Sequence, residues 1–139
     1  MEMLSARNQI PGIIKSISRG GITAEVIIIT ASGLEISSII TLGSCVRMNL
    51  EPGDNVTAIV KSSDVILAVG KDLLISCRNN IPGIIKKINS GSVSNEIVID
   101  ANGTELVSII TQNSVERLKL AENSKVSALI KASNVIVMK

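Results

Sequence analysis

SARNQIPGIIK, residues 5–15, returns 71 positions later as SCRNNIPGIIK, residues 76–86. The apolar part of this repeat asks only for a repeated core. The arginine and the asparagine need another reason, because such residues belong at the surface unless they have partners. Working outward from this phrase reveals a duplication of the whole chain. Glu25 falls on Glu96 at the same offset, and one deletion near residue 100 then shortens the offset to 70. SSIITLGS (37–44) then meets VSIITQNS (107–114), and VTAIVKSSDVIL (56–67) meets VSALIKASNVIV (126–137). Two copies of about 65 residues organise the chain. The expected domains are 1–70 and 71–139, with the join at 69–73.

Within each copy the local signals are those of strands. IPGIIKSIS, AEVIIIT, EISSIIT, NVTAIVKS and DVILAV are short and rich in β-branched residues. Gly20-Gly21, Ser32-Gly33 and Pro52-Gly53 separate them, and Pro11-Gly12 reads as backbone punctuation in both copies. Residues 44–50 and the matching SVERLKL suit a turn or two of helix, with Ser44 and Ser114 at its start. The expected fold is all-β: two tandem OB-like five-stranded β-barrel domains, each with a short helix.

Hydrophobic residues make up 45% of the 139, yet Phe, Tyr, Trp and His are absent. The core must therefore be aliphatic, and binding by ring stacking is excluded. A barrel of this size is marginal alone. VIIIT barely alternates, as expected of a strand covered on both faces, so an oligomer with extensive apolar contacts is expected. The net charge of +2 gives no broad footprint for nucleic acid. Cys45 and Cys77 are too few for a disulfide framework, which favours a reducing compartment. No charged-then-apolar leader and no membrane-spanning apolar run is visible. The Asn-X-Thr triplets at Asn55 and Asn102 then have no role.

The polar positions shared by the copies are Ser5/Ser76, Arg7/Arg78, Asn8/Asn79, Thr41/Thr111, Ser44/Ser114, Lys61/Lys131 and Ser63/Ser133. Nearly all are hydrogen-bond donors, and none is a carboxylate. Glu25/Glu96 and Glu35/Glu105 also recur, but inside strand-like runs. A donor-rich set suits an oxyanion. Arg offers a planar fork, Lys a point charge, and hydroxyls rotate to fit. Taken singly, each residue also fits a structural part. Arg7 suits a surface ion pair, Ser44 a helix cap, and Lys61 a solvated strand end.

SARNQIPGII, TAEV, SSIITLGS and VTAIVKSSDVILA together resemble the molbindin family, which is built from tandem Mop domains. The resemblance spans almost the whole chain. It implies OB-like barrels and cytoplasmic binding of molybdate or tungstate for storage and homeostasis, with no cofactor and no protein atom coordinating the metal. It also implies a homotrimer with anion sites at domain interfaces. In the first copy the implied contacts are Ser5, Ala6 and Arg7 on one side and Thr41, Ser44, Lys61 and Ser62 on the other. In the second they are Ser76, Cys77 and Arg78 with Thr111, Ser114, Lys131 and Ala132. Further family sites near three-fold axes match Thr23-Ala24-Glu25 and Ser94-Asn95-Glu96. Cys77 in place of Ala6 and Ala132 in place of Ser62 imply two classes of site with unequal affinity.

Rival readings have less support in these residues. An OB-fold nucleic-acid module would use aromatic platforms and a basic groove, and neither is present. A ligand-sensing regulator of this type carries a helix-turn-helix segment that this sequence does not show. An enzyme would need a His, a P-loop or a metal-ligand cluster, and no His is available to activate either cysteine. A membrane role is likewise not expected.

Overall fold

The computed structural model describes residues 3–139; Met1 and Glu2 lie outside the described residues. The first copy supplies β1 (Asn8–Arg19), β2 (Thr23–Thr30), β3 (Glu35–Thr41), α1 (Leu42–Arg47), β4 (Asn55–Val60) and β5 (Ile66–Ala68). The second supplies β6 (Asn79–Ser90), β7 (Ser94–Ala101), β8 (Thr104–Thr111), α2 (Gln112–Arg117), β9 (Lys125–Ile130) and β10 (Ile136–Met138). A short 3-10 turn, Ser62–Asp64 or Ala132–Asn134, precedes β5 and β10. The expected all-β fold of OB-like units with short helices is what forms.

The sheets do not follow the sequence repeats. One has the order β10-β4-β1-β2-β3 and the other β5-β9-β6-β7-β8. Each copy thus lends its last strand to the other. Ile136, Val137 and Met138 pair with Ile59, Ala58 and Thr57, while Ile66, Leu67 and Ala68 pair with Leu129, Ala128 and Ser127. The boundary at residue 70 divides the repeats, but each hydrogen-bonded sheet takes strands from both sides of it. The exchange is set up just upstream. The turn after β4 packs on β8, where buried Ser108 donates through Oγ to Val65 O at 2.7 Å. The second copy mirrors this, Ser38 Oγ donating to Val135 O at 2.6 Å. Those bonds aim the next three residues at the neighbouring sheet. The buried aliphatic side chains of both copies form one connected cluster, running from Ile14, Ile28 and Leu50 to Ile85, Ile99 and Leu106.

Two local expectations change. Pro11-Gly12 and Pro82-Gly83 do not interrupt a strand; β1 and β6 run straight through them. Pro11 sits where β1 has a partner on one side only, because pairing with β2 begins at Gly12. Gly12 is required by close approach, since a Cβ there would lie 2.5 Å from Ile28 Cγ2 and 2.7 Å from Ile29 O. The helix caps also move. Thr41 and Thr111, not Ser44 and Ser114, are the N-caps, each accepting from the backbone N–H three residues on at 3.1 Å.

β2 shows why its apolar run alternates so little. Ala24, Val26, Ile28 and Thr30 are buried, while Glu25, Ile27 and Ile29 on the opposite face are half-buried. The outer face is partly covered within the single chain.

Candidate oxyanion site at the seam between the copies

The asparagines that opened the question are structural. Asn8 is buried, donates to Val107 O at 2.8 Å and accepts from Val107 N at 2.7 Å. Asn79 does the same to Ser37, accepting from its N–H at 2.7 Å and donating to its carbonyl at 2.9 Å, and also donates to Ile130 O at 3.1 Å. Each side-chain amide therefore acts as one more rung on the edge strand of the opposite copy. Without such a rung, a buried backbone N–H and C=O would be left unpaired.

This anchoring fixes the residues just before each first strand. Asn8 pairs with Val60 in the β1–β4 ladder, so Arg7 and Lys61 leave the sheet side by side. Asn79 pairs with Ile130 and places Arg78 and Lys131 likewise. Asn8 lies on Val107, and Arg7 contacts Glu96, the β7 partner of Ile109. The chain from Asn8 back towards Ser5 therefore runs along β8 towards Thr111. In the mirrored seam, residues 76–78 run along β3 towards Thr41.

The ladders thus set residues 5–7 beside Lys61 and Ser62, with Arg7 reaching Glu96 of the second copy. They set residues 76–78 beside Lys131 and Ala132, with Arg78 reaching Glu25 of the first. Within one copy Thr41 and Ser44 lie at the far end of β1, because Arg19 pairs with Ala24 and Ala24 with Ile40. Lys61 and Ser62 consequently keep company with residues 5–7 of their own copy, not with Thr41. Thr41 and Ser44 are already mutually engaged, with Thr41 Oγ1 donating to Ser44 Oγ at 2.9 Å. The Thr111–Ser114 pair repeats that distance of 2.9 Å.

The expected donor set without carboxylates does not hold in three dimensions. Arg7 forms an ion pair with Glu96, and Arg78 Nε lies 3.2 Å from Glu25 Oε2. Sequence separation hid both, because each pair joins opposite copies. Asn89 donates to Glu96 Oε1 at 2.9 Å, and Ser37 Oγ donates to Glu25 Oε2 at 2.9 Å. The Asn89 hydrogen bond, helped by the Arg7 guanidinium, holds the Glu96 carboxyl below the usual carboxylate range. Lys61 and Lys131 are exposed and make no ion pair among the described residues. Ser62 and Ala132 are both buried, so packing needs the Cβ and not the hydroxyl.

One concavity, of ≈ 660 Å³, is lined mostly by apolar residues, Pro11, Ile13, Ile29, Val56 and Met138 among them, with Lys15 and Lys139, and holds none of the candidate contacts. Its mostly apolar walls make it a poor place for an anion. Among the described residues no group of three or more His, Cys, Asp or Glu could hold a metal ion, and no helix is long and apolar enough to cross a membrane.

The model of the TOBE domain matches residues 4–67 and again 75–137. The chain belongs to the TOBE domain family. The molybdenum-pterin-binding protein MopA of Rhodobacter capsulatus is 36% identical over 135 residues, covering 96% of this chain and 51% of MopA. The molybdenum transport protein ModE of Azotobacter vinelandii is 35% identical over 134 residues, again 96% of this chain and 50% of ModE. The chain thus spans about half the length of these curated relatives. A crystal structure of the cytoplasmic molybdate-binding protein ModG with molybdate bound superposes with a TM-score of 0.95 at 34% identity, covering 99% of both chains. The resemblance to tandem Mop proteins read from the sequence therefore holds over the whole TOBE pair, and the relatives named here are binding and transport proteins.

Proposed function

We propose that this chain binds molybdate, with tungstate as a close mimic, and serves as a cytoplasmic store that buffers the oxyanion. The observation that carries this reading is the doubled seam, in which Arg7 with Lys61 and Arg78 with Lys131 recur on a chain that superposes end to end on ModG. Two fixed cations balance a dianion, and hydroxyls and main-chain N–H groups take its remaining oxygens. Ser5, Ala6, Ser62, Thr111 and Ser114 complete the first cage; Ser76, Cys77, Ala132, Thr41 and Ser44 complete the second. Binding is reversible, makes no bond from protein to metal and involves no catalysis. Cavity size selects against sulfate.

The assembly we propose is a homotrimer in which neighbouring chains close the sites, each chain carrying the copies 1–70 and 71–139. Large apolar side chains exposed at matching places support it: Ile13 with Ile84, Ile22 with Val93, Ile39 with Ile109, and Ile66 with Ile136. A ligand-sensing role within a longer regulator is the second reading, favoured by the 28% identity over 135 residues to half of the transcriptional regulator ModE of Yersinia pestis. It uses the same anion site.

Thermal unfolding with competitors tests the binding reading. Molybdate and tungstate are expected to raise the unfolding temperature, while single-stranded oligonucleotide and ATP leave it unchanged. Protection by the oligonucleotide and none by molybdate would overturn it. Native mass spectrometry with added molybdate reads chain number and anion count together. A particle of one chain would remove the trimer.

A further inference from the structure

We propose that Glu96 and Glu25 are built-in competitors for the oxyanion, each holding the opposite copy's arginine until the anion displaces it. This rests on the oxyanion reading above. Each candidate arginine has one ion-pair partner, a glutamate from the other copy. A carboxylate and a tetraoxo anion offer a guanidinium the same kind of acceptor, so the two compete for the same N–H fork. While the pair is closed the arginine's charge is cancelled, and only Lys61 or Lys131 remains to attract an anion. Uptake is then an exchange of one acceptor for another.

Three features make this exchange workable. The arginine side chains are 50% and 59% exposed and the glutamates 27% and 31%, so the pairs open without unburying a charge. Each glutamate keeps a neutral donor from its own copy, Asn89 for Glu96 and Ser37 for Glu25, so a released carboxylate is not left unpartnered. Asn8 and Asn79 remain bonded to the opposite strand, so the arginines move without disturbing the core. The device also screens ligands, since an anion too weak to displace a carboxylate gains no guanidinium.

The test is calorimetry with sodium molybdate on the full-length protein carrying Glu25→Gln and Glu96→Gln. Breaking an exposed pair corresponds to about a two- to fivefold gain in affinity per site. Glu35→Gln with Glu105→Gln removes the same charge from pairs with Lys15 and Lys86 and is expected to leave affinity unchanged. Unchanged or weakened binding in the Glu25/Glu96 variant would overturn the proposal, as would an equal gain in the control. Binding by neither wild type nor variant would overturn the oxyanion reading itself. A second measurement needs no variant. In wild type, the side-chain carboxylate 13C resonances of Glu25 and Glu96 are expected to move in step with molybdate occupancy; saturation with both unmoved would contradict the exchange.

Discussion

The two seams share a backbone frame and differ in the side chains laid on it. At the first, Arg7 meets a Glu96 that Asn89 supports, beside Ala6 and Ser62. At the second, Arg78 meets a Glu25 that Ser37 supports, beside Cys77 and Ala132. Asn8 makes two bonds across the seam and Asn79 three. Only the second copy ends on a clasp: Lys139 Nζ donates to Asn49 O at 3.0 Å and lies 3.1 Å from Asp54 Oδ2, whereas Val69 stands at the matching position of the first. Residues that hold the copies together changed little after duplication. Among the residues proposed to face the anion only Ala6/Cys77 and Ser62/Ala132 diverged, together with the tether on the exchanged strand.

The largest effect expected is on stability at the asparagines. Asn79→Ala strips partners from Ser37 N and O and from Ile130 O, at about 1–3 kcal/mol for each group left unpaired. Asn8→Ala leaves fewer orphans, so denaturant midpoints should fall further for Asn79→Ala; the reverse order would break the comparison. The glycines come next. Gly12→Ala places its Cβ 2.7 Å from Ile29 O, whereas Gly83→Ala lies 3.1 Å from Asp100 O, and both meet an isoleucine Cγ2 at 2.5 Å. Overpacking of this kind costs about 1–3 kcal/mol, with Gly12→Ala the worse of the two by chemical denaturation.

Smaller effects concern the anion and acid. If the Ser62 hydroxyl is a ligand donor, Ser62→Ala merges the two affinity classes and Ala132→Ser sharpens the second; calorimetry showing one class in wild type and in Ser62→Ala would remove the distinction. The smallest effect is on pH dependence. The folded-state pKa of Glu96 lies below its unfolded value, so its contribution is complete above the ordinary carboxylate range and is lost as pH falls through the lowered value. Asp54, held down by the Glu51 N–H first and Lys139 second, behaves the same way. Glu96→Gln should therefore show a shallower acid loss of unfolding temperature than wild type, and Glu96→Gln with Asp54→Asn a shallower one still.

Much of this was legible in the sequence because the signals were local and doubled. β-branched runs between glycine turns gave the strands, and their recurrence gave two five-stranded units. The strand exchange was not legible. IVM at 136–138 and ILA at 66–68 are near-identical, and each suits either sheet equally. The long-range bonds of Ser108 and Ser38 accompany the exchange and join residues far apart in sequence. Those serines carried a usable sign, a polar residue recurring inside an apolar strand, and so did Asn8 and Asn79. Glu25 and Glu96 were set aside for lying mid-strand, yet their partners are 53 and 89 residues away in sequence, a pairing that spacing alone does not reveal.

Central to all of this is that Arg7 and Arg78 grip the anion at the seams. The direct measurement is native mass spectrometry of wild type and of Arg7→Ala with Arg78→Ala, each titrated with molybdate. The account predicts an assembly of unchanged size that has lost most of its anion-bound mass increments. An intact double variant that takes up as much molybdate as wild type would contradict it.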